Sequence, residues 1–224
     1  MISFLRRRVE VVKRAFDMAV SAVLLLLLAP VLLLIAVLIR LDSPGRVFFL
    51  QRRVGQGRSE FRIVKFRTMV ERDPDAIDQH AEVVVSGGVD PRITRVGRFL
   101  RATSLDELPQ LWNILRGDMS IVGPRPVIPE QLVAVPQEYM CRFDVRPGLT
   151  GLAQVRGRRS LGWLEQLAAD AEYVRDHSFI YDLKLMLLTV YVVLTAKGVY
   201  GEEGQNWRAY RDEIQARQKQ AGDE

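Results

Sequence analysis

The apolar positions form one uninterrupted run and several shorter patterned segments. The run MAVSAVLLLLLAPVLLLIAVLI, residues 18–39, carries no charge. As a helix it measures ~33 Å, enough to cover a ~30 Å hydrocarbon core. Pro30 sits near its centre, where it removes a helical hydrogen bond and collides with the carbonyl of Leu26. Each arm is then ~17 Å long, about one leaflet deep. Arg6, Arg7, Arg8, Lys13 and Arg14 precede the run, and Arg40, Arg46, Arg52 and Arg53 follow it. Positive charge at both ends draws both to the same side of a membrane. A re-entrant helix that bends at Ala29-Pro30 and returns fits these facts, and so does a kinked crossing helix. Charge and length alone divide the two evenly. A cleavable signal peptide fits poorly, because arginines follow the run where a small-residue cleavage site belongs.

Downstream, VFFLQRRV and SEFRIVKFRTM flank Gly55-Gln56-Gly57, which predicts a β-hairpin. A polar segment with a short helix and a Gly87-Gly88 break follows. A helical pattern then runs from Pro91 to Leu115 and stops at Gly117. Prolines and glycines punctuate 121–160, predicting mostly loop, and helix returns over 161–200. LMLLTVYVVLTA, residues 185–196, is too short to span. Lys184 and Lys197 bracket it, with Tyr181, Tyr191 and Tyr200 nearby, which reads as an interfacial helix; a buried core helix is the competing reading. The expected fold class is α+β, mainly α-helical. It comprises a basic N-terminus and membrane helix over 1–41, a membrane-surface domain over 42–200 with the hairpin and interfacial amphipathic helices, and a charged, frayed tail over 201–224.

Charge adds a partner class. The net charge is +5 and the isoelectric point about 9.6, so anionic partners are expected. Cys141 is the only cysteine, which excludes an intrachain disulfide. His80 and His177 lack metal-site spacing, and neither a P-loop nor a GxGxxG occurs. No basic tract with interleaved aromatics is present, so nucleic acid is not an expected partner.

Against this basic background SLDELPQ, residues 104–110, places Asp106 beside Glu107. Two readings compete. Ser104 and Glu107 have capping-box spacing. Alternatively a helix starts at Asp106, putting Pro109 at its third position, where no donor is needed. Asp106 would then face the positive helix end and stay ionised, as a nucleophile or metal ligand requires. Asp73-Pro74-Asp75 forms a DxD of the kind that binds metal–nucleotide, although Asp73 serves more simply as a helix cap. Arg92, Arg95 and Arg98 make a cationic stripe that reads as a solvated or lipid-facing surface. Arg125 stands between Pro124 and Pro126, and a guanidinium fixed in this way suits bidentate phosphate binding.

KFRTM (65–69), DPRITRVGRFLRATSLDELPQLWNILRGDMSIVGPRP (90–126) and RPGLTGLAQVRGR (146–158) closely resemble the bacterial sugar transferase family, the monotopic phosphoglycosyl transferases. The resemblance covers nearly the whole chain and looks like the small class of that family. It implies a Mg²⁺-dependent transfer of a sugar-1-phosphate from a UDP-sugar to undecaprenyl phosphate, with release of UMP. It further implies Asp106 as covalent nucleophile, Glu107 as its metal-associated partner, and Arg125, Arg101 and Lys65 around the phosphates. Arg158 and Asp170 resemble positions tied to nucleotide or sugar handling. The resemblance favours the re-entrant form of the membrane helix, on the cytoplasmic face of the bacterial inner membrane among its lipids, and allows for a homodimer. Arg156 in QVRGR departs from the family's asparagine. Two other readings make distinct predictions: a basic membrane-surface binding protein without catalysis, and a DxD glycosyltransferase that releases UDP.

Overall fold

The computed structural model describes residues 2–79, 90–157, 160–194 and 206–222. Among the described residues the chain is mainly helical, with two small two-stranded sheets. Helix α1, Ile2–Asp42, continues through Pro30 without interruption. Among the described residues, its Glu10–Asp42 portion is the helix long and apolar enough to cross a membrane, and only 11% of its apolar window is buried by protein. A core helix of a soluble protein would be mostly covered.

Both ends of α1 dock on the same domain. Near the N-terminus, Arg14 donates to the carbonyls of Ile114 and Leu115, and Lys13 pairs with Asp182 and donates to the Val122 carbonyl. Asp17 accepts from the Ser120 hydroxyl and the Ile121 N–H. Near the other end, Ile35 and Ile39 bury against Phe66 and Leu100, and Asp42 accepts from the Val96 N–H.

The hairpin forms where alternation and glycine predict it. Strand β1, Phe48–Val54, pairs antiparallel with β2, Glu60–Phe66, from Phe48↔Phe66 to Val54↔Glu60. Gly57 takes φ +64° in the connection, which a glycine does at little cost. The predicted continuous helical pattern from Pro91 to Leu115 divides. Helix α2, Arg95–Thr103, ends at Ser104, whose φ of +59° turns the chain into a 3₁₀ turn at Leu105–Glu107. Helix α3, Gln110–Arg116, follows and ends at Gly117. Gly97 lets α2 lie against the hairpin, since a Cβ there would come within 2.0 Å of the Thr68 carbonyl oxygen.

The expected loop over 121–160 holds more structure than its prolines suggest. Strands β3, Ser120–Val122, and β4, Gly148–Thr150, pair in parallel, and α4, Leu152–Arg156, begins two residues after β4. Helices α5, Trp163–Asp176, and α6, Phe179–Leu194, complete the expected helical return. On α6, Asp182 and Leu185 are buried while Ile180 and Leu187 are exposed, so the helix offers an apolar side that protein leaves uncovered. The C-terminal segment is not frayed over its described part: α7, Trp207–Gly222, buries Trp207 in a cluster with Trp163 and Leu167. The Gly87-Gly88 break, His80, Lys197 and Tyr200 lie outside the described residues.

Candidate active site

The hairpin, the turn between α2 and α3, the Gly-Pro-Arg-Pro loop after β3 and the face of α5 together enclose a cavity of about 1160 Å³. Lys65, Arg101, Asp106, Glu107, Arg125 and Asp170 all line it. Arg158 lies outside the described residues.

Each position in KFRTM has a separate task. Lys65 reaches Glu107, with Nζ 2.9 Å from Oε1. Phe66 enters the core, and Arg67 donates to the carbonyls of Ser43 and Pro44, fixing the turn between α1 and β1. The Thr68 hydroxyl accepts from Arg101 Nε at 2.8 Å, which aims the α2 arginine along the cavity wall. Met69 bridges to Ile93.

Neither predicted helix start at SLDELPQ forms. Ser104 makes no capping bond, and its left-handed backbone closes α2. Asp106 and Glu107 lie on the 3₁₀ turn, and Pro109 precedes the first residue of α3, where its missing N–H leaves no gap.

Arg125 is fixed more firmly than its flanking prolines require. Four consecutive carbonyls of its loop each accept a bond from a different place. Pro124 accepts from the Gly148 N–H at 2.8 Å and Arg125 from Arg142 Nη2 at 2.8 Å. Pro126 accepts from Arg53 Nη1 at 3.2 Å and Val127 from the Val54 N–H at 2.9 Å. Gly123 and Gly148 make this closure possible, since a Cβ on Gly148 would stand 2.1 Å from the Gly123 nitrogen. The Arg125 side chain projects from this frame to Glu107 Oε1 at 2.9 Å.

The two carboxylates therefore differ. Burial would raise the Glu107 carboxyl, but Arg125 and Lys65 overcome it and hold it well below the usual carboxylate range. Burial and the Glu107 charge push the Asp106 carboxyl up, against Lys65, Arg101 and Arg125. Asp106 makes no hydrogen bond among the described residues, so its oxygens are available. Burial lowers the Lys65 ammonium, while Glu107 pulls it back. Deeper in the wall, Arg142 Nη2 meets Asp170 Oδ2 at 2.7 Å, with both side chains 3% exposed. Arg142 also carries the bond to the Arg125 carbonyl, so the Arg142–Asp170 pair braces the loop that holds Arg125. Sequence reasoning missed Arg142; the one signal was a lone arginine among Met140, Cys141, Phe143 and Val145.

The donor set suits a magnesium ion, which binds through one or two carboxylates and fills its other positions with water and phosphate oxygens. Both bonds to Glu107 fall on Oε1, leaving Oε2 for that purpose. Among the described residues no group of three or more His, Cys, Asp or Glu could hold a metal by itself. The DxD is otherwise engaged: Asp73 accepts from the Asp75 N–H, and Asp75 pairs with Arg52 and Arg62. Arg156 forms a two-bond pair with Glu172 at 2.6 Å and does not line the cavity.

Residues 8–196 match the bacterial sugar transferase family. The chain is 46% identical over 203 residues to the UDP-glucose:undecaprenyl-phosphate glucose-1-phosphate transferase of Caulobacter vibrioides, covering 87% of this chain and 74% of that protein. It is 38% identical to the exopolysaccharide production protein ExoY of Rhizobium meliloti, covering 84% of this chain and 88% of that one. It is 42% identical to the UDP-glucose:undecaprenyl-phosphate glucose-1-phosphate transferase of Escherichia coli, covering 85% of this chain but 42% of that longer protein. With a family match over residues 8–196 and a relative 46% identical that the chain covers to 74%, the chain belongs to the bacterial sugar transferase family.

Proposed function

We propose that the enzyme transfers a hexose-1-phosphate from a UDP-sugar to undecaprenyl phosphate in two displacements at Asp106. The observation that carries this reading is the division of labour within the acidic pair. Glu107 is locked between Lys65 and Arg125, whereas Asp106 keeps unbonded carboxylate oxygens among the same cations. In the first step an Asp106 oxygen attacks the β-phosphorus of the donor, and the bond to the α-phosphate oxygen breaks, releasing UMP. In the second, a phosphate oxygen of the acceptor attacks the aspartyl phosphosugar and frees Asp106, leaving a polyprenyl diphosphosugar. One carboxylate thus serves two phosphates in turn. Lys65, Arg101 and Arg125 reduce the repulsion that a carboxylate meets on approaching a diphosphate. Mg²⁺, held by Asp106 and Glu107, would neutralise charge on the diphosphate oxygens.

The names of the Caulobacter and Escherichia relatives support glucose as the sugar, and a relative in Erwinia amylovora, 37% identical, is named a UDP-galactose-lipid carrier transferase. The re-entrant form of α1 is part of the same reading. Its two ends dock on one domain, with basic residues before and after the apolar run, which supports a helix that enters the cytoplasmic leaflet and returns. The uncovered apolar side of α6 suits the same surface.

The test is nucleotide release from UDP-glucose, UDP-galactose and UDP-N-acetylhexosamines with undecaprenyl phosphate and Mg²⁺, for wild type and Asp106→Asn. UMP from one donor, lowered at least about 10³-fold by the substitution, is expected. UDP as the product would replace this reading with sugar transfer lacking the phosphate.

A further inference from the structure

Arg53 belongs to β1, and neither its motif nor its spacing marks it for the site. It lines the same cavity as Asp106, Glu107, Lys65 and Arg125. Its Nη1 donates to the Pro126 carbonyl at 3.2 Å and its Nη2 to Gln51 Oε1 at 2.6 Å. Both acceptors are neutral. Its Nε is sealed from solvent without a partner. No carboxylate lies within ion-pair distance of it among the described residues; Glu107 and Glu130 act on it only through space. The neighbouring Arg52 contrasts with this, pointing to the other side of the strand, where it meets Glu60 and Asp75.

A desolvated guanidinium without a counter-ion is costly, and a fold that keeps one has a use for the missing anion. Burial, and the adjacent Arg125, push Arg53 down to about 10, so it remains charged at neutral pH. Arg53, Lys65, Arg101 and Arg125 line the cavity with Asp106 and Glu107, four cations against the two carboxylates of the acidic pair. Glu107 neutralises Lys65 and Arg125 in part, and Arg101 is oriented by Thr68. Among the described residues no carboxylate stands within ion-pair distance of Arg53, and Glu107 and Glu130 reach it only through space.

We infer that Arg53 is a substrate-binding residue, whose guanidinium pairs with a phosphoryl oxyanion of the donor diphosphate or of the acceptor phosphate, on the hairpin side of Asp106. This assignment rests on the two-displacement reading for its substrates, but not for its chemistry, which is recognition of a phosphate. Through the Pro126 carbonyl, Arg53 also ties its own position to the loop that carries Arg125, so the two guanidinium groups present a fixed pair to one anion.

The experiment uses the full chain in detergent micelles, with binding of UDP and of inorganic phosphate measured by titration calorimetry. Steady-state KM values for donor and for acceptor accompany it. Arg53→Met should weaken phosphate or UDP binding about tenfold or more, and Arg53→Lys should recover part of the loss. Arg52→Met removes the same charge from the other side of the strand and should change both by less than about twofold. A raised donor KM assigns the donor diphosphate, and a raised acceptor KM the lipid phosphate. Unchanged binding and KM values in a folded Arg53→Met, or equal losses in the Arg52 and Arg53 variants, would overturn the assignment. Should Arg53→Met not fold, Arg53→Lys decides: wild-type binding and KM values in that variant overturn it, and weakened ones sustain it. Phosphate binding that depends on Arg53, in a wild type that ignores UDP, would sustain the inference while refuting the donor proposed above.

Discussion

Replacing Arg142 with methionine removes the partner of a carboxylate that water does not reach. Both side chains of the Arg142–Asp170 pair are 3% exposed, and the pair is joined by bonds of 2.7 and 3.2 Å. Removing one member of a buried pair costs about 3–5 kcal/mol, because the survivor keeps its desolvation penalty. For a chain of this size about 2–4 °C accompanies each kcal/mol, so the melting temperature should fall by about 6–20 °C. Thermal unfolding in lipid nanodiscs, followed by intrinsic fluorescence, reads this directly. The loss should depend on pH. Burial already raises the Asp170 carboxyl, and Arg142 pulls it back; without Arg142 it rises further. A group whose folded pKa exceeds its unfolded value favours the folded state only at low pH. The variant's deficit should therefore widen as pH rises from 5 through the new folded pKa. In Arg142→Met/Asp170→Leu neither charge remains, and most of the stability should return. Turnover should stay low in that double variant, because the Arg125 carbonyl has still lost its donor. A single variant that melts within 2 °C of wild type, or a double variant no more stable than the single, would refute this account.

Lys65→Met should move the acidic limb of kcat/KM to higher pH. Burial and Glu107 raise the Asp106 carboxyl while Lys65 lowers it, so the proposed nucleophile would protonate sooner; a pH–rate profile with the limb unmoved counts against Asp106 as the titrating group. Gly97→Ala should cost several degrees of melting temperature and most of the turnover, because its Cβ meets the Thr68 backbone and Thr68 orients Arg101; unaltered melting would contradict the close contact. Arg156→Met removes a surface pair whose members are 46% and 33% exposed, and its stability effect should stay within about 1 kcal/mol by the same melting assay. Chelation by EDTA should abolish nucleotide release and added Mg²⁺ restore it, whereas turnover that persists in EDTA would remove the ion from the mechanism.

The parts of the fold that were readable depend on local information. Alternation on both sides of Gly55-Gln56-Gly57 is enough to define a hairpin, since the turn and its strands are neighbours in sequence. The acidic pair, Lys65 and Arg125 stand in long, recognisable motifs, and the cavity contains all of them. What stayed hidden is decided at a distance. The left-handed Ser104 ends α2 with a backbone bond to the Arg101 carbonyl, against a capping-box pattern that points elsewhere. The β3–β4 pair consists of two three-residue strands that meet in parallel across a long connection, too short for any periodicity to reveal. Arg142 and Asp170 are 28 residues apart, and nothing near either residue names the other. The charged tail reads as frayed because its composition is polar; buried Trp207, packed with Trp163 and Leu167, anchors it.

The Arg125 loop also constrains the order in which the molecule becomes competent. Its four carbonyls wait for donors at positions 53, 54, 142 and 148, so three separate stretches of chain must arrive before the guanidinium is aimed. Asp106 leaves the ribosome well before residue 148 does. During that interval the loop lacks two of its four donors, so Arg125 is not yet held toward Glu107. The bonds from Arg142 and Gly148 are thus the last of the four that synthesis makes possible, so the geometry of the loop is completed only by sequence that follows Asp106.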